Sequence, residues 1–265
     1  MIKNLTDNKI EKLINEITTD IETSKSKVFI SSKKYLSFLC KIIPKTLFNE
    51  KFIKKISNDF KQIDKNYLKK LLELDYCGDG DLRYHSFTLY LLTKIIQPNL
   101  IIETGVNNGK SSVNFLFGLR QNKKGKLVSI DKKETKKKLK DGRMPYKLVD
   151  NKIGWLIPKS YKSRWKLYEG DSLKVLNMIN KKNLYNRPNI FLHDSLHTMK
   201  HTYEEIKIVS KLNNPSNNPI LILVDDINMG SGKAFKKFLL KNKLTGYSFR
   251  TFGAVFIEKN KKLLF

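Results

Sequence analysis

The chain has 265 residues, two cysteines, and 52 Lys plus Arg against 25 Asp plus Glu, a formal net charge of +27 at pH 7. That length builds one large α/β domain with a small appendage and excludes a fold that needs disulfides or metals to close its core; Cys40 and Cys77 fall in no CxxC pattern and read as packed thiols in a reducing compartment. No window nears the roughly 18 uncharged apolar residues of a membrane span, and the start MIKNLTDNKIEKL has no apolar h-region, so the expectation is a cytoplasmic protein.

Residues 1–75 read as a helical N-terminal cap or an oligomer contact. Ile10, Leu13, Ile14, Ile17 and Ile21 keep the spacing of one buried helical stripe, and Asp64 is placed to cap a helix carrying Leu68, Leu71 and Leu72. Pro44 and the polar stretch near Asn49 break the segment between them. Residues 76–265 form the second expected domain. From about residue 98, the apolar runs LIIET, KLVSI, WKLYEG, NIFLHD and ILILVDD alternate with helical stretches such as SSVNFLFGLRQ and Thr202 to Leu212. Runs that are apolar throughout suit strands covered on both faces of a mainly parallel sheet. YSFRTF and GAVFIEK are close enough to pair as an antiparallel ribbon at the sheet edge. The expected fold class is therefore a doubly wound, Rossmann-like α/β fold, which binds ligands beyond the carboxyl ends of its strands. Those ends carry Glu103 and Gly105, Asp131, Gly170 and Asp171, Asp194, and Asp225 with Asp226.

The stretch ETGVNNGKSS after the first run resembles a phosphate loop, but three residues separate Gly105 from Gly109 where a Walker A loop has four. Asn107 stands where a dinucleotide fingerprint has its second glycine. What remains is Glu103 closing a strand, a G-x-x-x-G turn, and Ser111 at a helix start. A carboxylate there repels a triphosphate and suits a ligand with a cationic or hydrogen-bond-donating end. Asp131 is placed for ribose hydroxyls, and Asp171 for an exocyclic amine or a helix cap. A ligand with an amino acid end, a ribose and an adenine fits all three positions, and S-adenosylmethionine is that ligand.

The blocks IIETGVNNGKSS, VSID, GWLIPKSYKSRWKLYEGDS, FLHDSLHTMKHTYEE and LILVDDI, in this order, resemble class I S-adenosylmethionine-dependent methyltransferases, most of all the branch of bacterial sugar and natural-product O-methyltransferases. The resemblance spans roughly residues 76–258. It implies a seven-stranded sheet whose last strand runs antiparallel, and a cofactor seat at Glu103, Gly105, Gly109, Ser111, Asp131 and Asp171.

Adjacent strand ends are also expected to bring Asp194, Asp225 and Asp226 together, where like charges need a cation or protons, and a hard divalent ion such as Mg2+ suits an all-oxygen set. Members of the branch hold such a metal against a substrate hydroxyl pair. The alternative gives one carboxylate to a helix cap and another to a lysine. His193, His197 and His201 recur every four residues, but His193 belongs to a strand and points away from Asp194. The resemblance assigns His197, in D-x-x-H, the role of general base, with an orienting hydrogen bond as its alternative; His201 reads as an ordinary helix residue. Leu196 replaces a second acid that many relatives carry just before this histidine. With Asp194 and His197 as catalytic residues, the expected acceptor is a hydroxyl of a small molecule or saccharide.

The charge excess is mostly Lys, accompanied by much Ile and Asn, the trio that an AT-rich coding sequence gives whatever the function. Arg, the better group for two-pronged phosphate binding, is scarce. Residues 132–147 hold eight basic and two acidic side chains, a solvated loop or a docking surface for an acidic partner. Weak nonspecific binding to polyanions or to an anionic membrane surface follows from the charge. Two rival functions remain: a nucleic-acid methyltransferase, which the charge favours although no NPPY-like segment is present, and a noncatalytic scaffold built on the cofactor fold.

Overall fold

The computed structural model describes residues 37–39, 41–42, 55, 58–59, 82–133, 152–214, 218–258, 261 and 263–264. The Ile10–Ile21 stripe, Asp64 with its leucines, both cysteines and most of the basic loop after Lys133 lie outside them. The chain divides into two compact units, Met1–Ile95 and Ile96–Phe265, later than the 75/76 boundary expected from sequence.

Helix α1 (Leu82–Ile96), in the first unit but for its last residue, buries Phe87, Leu89, Tyr90, Leu91 and Leu92, and the Tyr90 hydroxyl donates to Asp59 Oδ2 at 3.3 Å. Among the described residues no helix is long and apolar enough to cross a membrane.

The second unit is a seven-stranded sheet in the order β3-β2-β1-β4-β5-β7-β6. Its strands are β1 (Leu100–Thr104), β2 (Lys126–Asp131), β3 (Trp165–Glu169), β4 (Ile190–His193), β5 (Ile220–Val224), β6 (Tyr247–Phe249) and β7 (Phe252–Ile257). The first five are parallel; β7 runs antiparallel to both β5 and β6. Of the five runs expected to be covered on both faces, β1, β4 and β5 are buried along their whole length and β2 along all but its ends; β3 departs from the expectation, because it lies at the sheet edge and is only partly covered.

Four helices flank the sheet: α2 (Lys110–Gln121), α3 (Ser172–Lys181), α4 (Met199–Ser210) and α5 (Gly230–Asn242). One continuous core joins Leu176 and Ile179 of α3, Ile206 and Val209 of α4, and Phe235 and Phe238 of α5 to the same sheet face as Ile102, Val128, Phe191 and Ile222.

Three details differ from the sequence reading. Helix α4 starts earlier than Thr202, because Thr198 accepts the His201 amide and caps it at Met199. The terminal ribbon turns at Arg250, whose φ of 51° ends β6, so Phe252 belongs to β7. It is β6, not the whole ribbon, that forms the edge, because β7 inserts between β5 and β6.

Register sets the rim. Thr104 pairs with Ile130 and His193, and His193 with Val224, so Gly105, Asp131, Asp194 and Asp225 leave the sheet at one level. The ladder continues through Gly105 N to Ile130 O (2.9 Å), Asp194 N to Thr104 O (2.8 Å) and Asp225 N to His193 O (2.9 Å). Strand order reverses between β1 and β4, the position at which an open α/β sheet leaves a crevice.

Candidate active site

The turn after β1 is fixed by its glycines and by a carboxylate. Gly105 has φ 84°, and a Cβ there would overlap the main-chain oxygen of Asp194 and lie 2.9 Å from Ser195 N, so only glycine lets β1 and β4 exit this close together. Asp131 Oδ2 accepts the Val106 and Asn107 amides at 2.9 and 2.7 Å, while Oδ1 accepts Lys132 N at 2.7 Å. Burial pushes the Asp131 pKa up, against the pull of these amides. The turn's N–H groups thus already bind an anion of the protein itself, which agrees with reading it as something other than a phosphate loop. From the other side, Gly154 N donates to Asn107 O (2.8 Å) and Leu156 N to Asn108 O (3.0 Å). Gly109, at φ 94°, packs against Ile157 and starts α2.

Glu103 lies beneath this turn and is fully buried. Its oxygens accept the hydroxyls of Ser111 (2.9 Å), Ser129 (2.6 Å) and Ser112, and Ser129 in turn accepts Trp165 Nε1 at 2.7 Å. Burial raises the Glu103 pKa to about 7, with the three hydroxyls opposing the shift. Sequence reasoning assigned Glu103 and Ser111 to the cofactor; the structure bonds them to each other and braces the turn on the sheet. Asp171, half-buried, caps α3 through Lys174 N at 3.1 Å.

At the other corner, the His197 side chain is fully buried between two carboxylates that are each 30% exposed. Its Nε2 lies 3.7 Å from Asp194 Oδ1 and 3.5 Å from Asp226 Oδ2, and its Nδ1 lies 3.0 Å from Ser231 Oγ of α5. The expected metal set is not assembled: among the described residues no group of three or more His, Cys, Asp or Glu is arranged to hold a metal ion. Consecutive residues leaving a strand diverge with its pleat. Asp225 stays on the β5 ladder, whereas Asp226 takes a left-handed backbone (φ 50°) and joins His197.

Residues 102–227 match a family model described as a methyltransferase domain. This segment is a methyltransferase domain. Its fold is shared with an O-methyltransferase from Bacillus cereus solved in complex with SAH, at 13% identity, with 84% of this chain and 96% of that one covered and a TM-score of 0.50. A candidate O-methyltransferase from Klebsiella pneumoniae gives 14% identity, 77% and 98% coverage, and a TM-score of 0.52. No curated protein matches the chain in sequence.

Within the methyltransferase domain, sequence reasoning passed over Glu205. This α4 side chain is fully buried and accepts His193 Nδ1 (2.7 Å), Thr104 Oγ1 (2.6 Å), Ser195 Oγ (2.8 Å), His201 Nε2 (2.9 Å) and Ser172 Oγ. Because an ionised carboxylate only accepts, His193 carries its proton on Nδ1. Burial alone would raise the Glu205 pKa, yet the charges and hydrogen bonds of His193 and His201 win and hold it well below the usual carboxylate range. His193 is thus held between Glu205 and Thr202, and His201, read from sequence as an ordinary helix residue, is bonded to the buried Glu205.

Proposed function

We propose that the methyltransferase domain uses S-adenosylmethionine to methylate a hydroxyl group of a small molecule or saccharide. The observation that carries this reading is the contact at Gly105: the glycine turn and Asp194 leave neighbouring strands in van der Waals contact, so a ligand on the turn and an acceptor at Asp194 share one crevice. Support for the donor comes from the spent turn amides, which leave no phosphate cradle, and from the half-buried carboxylates of Asp131 and Asp171 beside them. Both carboxylates retain lone pairs for ligand hydroxyls or amines. When bound, S-adenosylmethionine supplies an electrophilic methyl group on a sulfonium.

The protein's own part is to align the acceptor and take its proton. An approaching hydroxyl meets Asp194 or Asp226 before the buried ring of His197. A proton taken into this group lies between an imidazole and two carboxylates, with Ser231 fixing the ring plane. The chain's own part is to hold the freed acceptor oxygen in line with the glycine turn, where a bound donor would offer its methyl group, so that alignment rather than a covalent intermediate lowers the barrier. Among the described residues no group of three or more His, Cys, Asp or Glu is arranged to hold a metal ion, and no step is assigned to a cation.

Titration of the purified chain with S-adenosylhomocysteine tests the donor site: saturable one-site binding is expected, and its absence overturns the reading. The net charge of +27 favours a second reading, a nucleic-acid acceptor. Sequence-selective oligonucleotide binding that survives raised salt would support it over the small-molecule acceptor.

A further inference from the structure

We propose that Glu205 is a positioning residue that locks the donor and acceptor corners of the site to each other. This inference rests on the methyltransferase reading and adds to it a residue that touches neither ligand. Its five donors come from β1, β4, α3, α4 and the loop after β4, and each lies next to a rim residue or holds one that does. Thr104 precedes Gly105 of the glycine turn; Ser172 follows Asp171; His193 and Ser195 stand on either side of Asp194. His201, one helical turn before Glu205 on α4, contacts both Glu205 and Ser172, at 2.9 and 2.8 Å.

A core of apolar contacts alone would tolerate small slides of these strand ends. A buried carboxylate with directed donors does not, since shifting any one segment leaves a buried hydroxyl or imidazole N–H unbonded, at a cost comparable to a lost hydrogen bond. The α4 helix also carries the turn from Ser195 to Thr198, and so holds His197 in the same frame. One side chain thereby sets the spacing of three strand ends.

The test compares Glu205→Gln with Phe238→Leu, a core change away from the rim that also loosens the domain. Hydrogen–deuterium exchange is read at residues 104–109, 171–174 and 193–198. In Glu205→Gln all three segments are expected to exchange faster together, relative to the buried strands; in Phe238→Leu they should track the global loss of stability. A rise confined to α4, or the same pattern in both variants, overturns the proposal. In parallel, the dissociation constant of S-adenosylhomocysteine for the folded fraction is expected to rise about tenfold or more in Glu205→Gln and to stay unchanged in Phe238→Leu. If the wild-type chain binds no S-adenosylhomocysteine, the function proposed above falls, while the exchange pattern still decides the role of Glu205.

Discussion

Gly105 and Asp194 are packed backbone to backbone: the space where any side chain on the first would begin is filled by the main-chain oxygen of the second. Gly105→Ala therefore combines left-handed strain with a steric overlap that rigid strands on both sides cannot relieve. We expect a loss of at least about 2 kcal/mol in denaturant unfolding, together with loss of S-adenosylhomocysteine binding by calorimetry. Wild-type stability and affinity in this variant would show that the two strand ends are not in contact.

Glu103 makes stability depend on pH in a defined window. Burial raises its folded pKa to about 7, above the 4.5 of an unperturbed glutamate, so the folded state holds the proton more tightly than the unfolded chain does. The contribution is fully present below about pH 4.5 and is lost as pH rises through 7. Its size is on the order of 3 kcal/mol. Glu103→Gln should flatten the unfolding free energy between about pH 4.5 and 7, measured against wild type by chemical denaturation at each pH. Glu205, shifted the opposite way, contributes stability that is lost only as pH falls below the ordinary carboxylate range, so the two effects separate.

Asp194→Asn and His197→Gln address the acceptor corner. Both should lower methyl transfer from a labelled donor by about 10²- to 10⁴-fold while S-adenosylhomocysteine affinity changes little. Equal loss of affinity and turnover would move these residues to the donor site.

The core prediction is independent of ligands. Phe238 is fully buried against α4 and the sheet, and Phe238→Ala should cost about 3–5 kcal/mol in thermal or denaturant unfolding.

The sheet was legible because its central strands are mostly apolar, and burial on both faces leaves that mark in the LII of β1 and in ILILV. The rim residues followed from strand ends alone. Their partners did not, because a partner depends on register: Ser129 lies opposite Glu103 across the β1–β2 ladder and donates to its carboxylate. The pairing of Asp194 and Asp226 across His197 was equally hidden, because Asp226 takes a left-handed backbone that the Asp-Asp pair does not announce. Glu205 did leave a signal. Thr202, Glu205, Ile206 and Val209 are all buried and lie at the spacing of one helix face, so the glutamate belonged to the core pattern rather than to the charged side.

The position of β7 bears on how the polypeptide matures. Because β7 fills the gap between β5 and β6, a nascent chain released before Phe252 has emerged presents the apolar strand Ile220–Val224 with an open edge. Such an intermediate is an invitation to strand-swapped aggregates, and it makes late synthesis, rather than the mature enzyme, the stage at which a chaperone has most to protect.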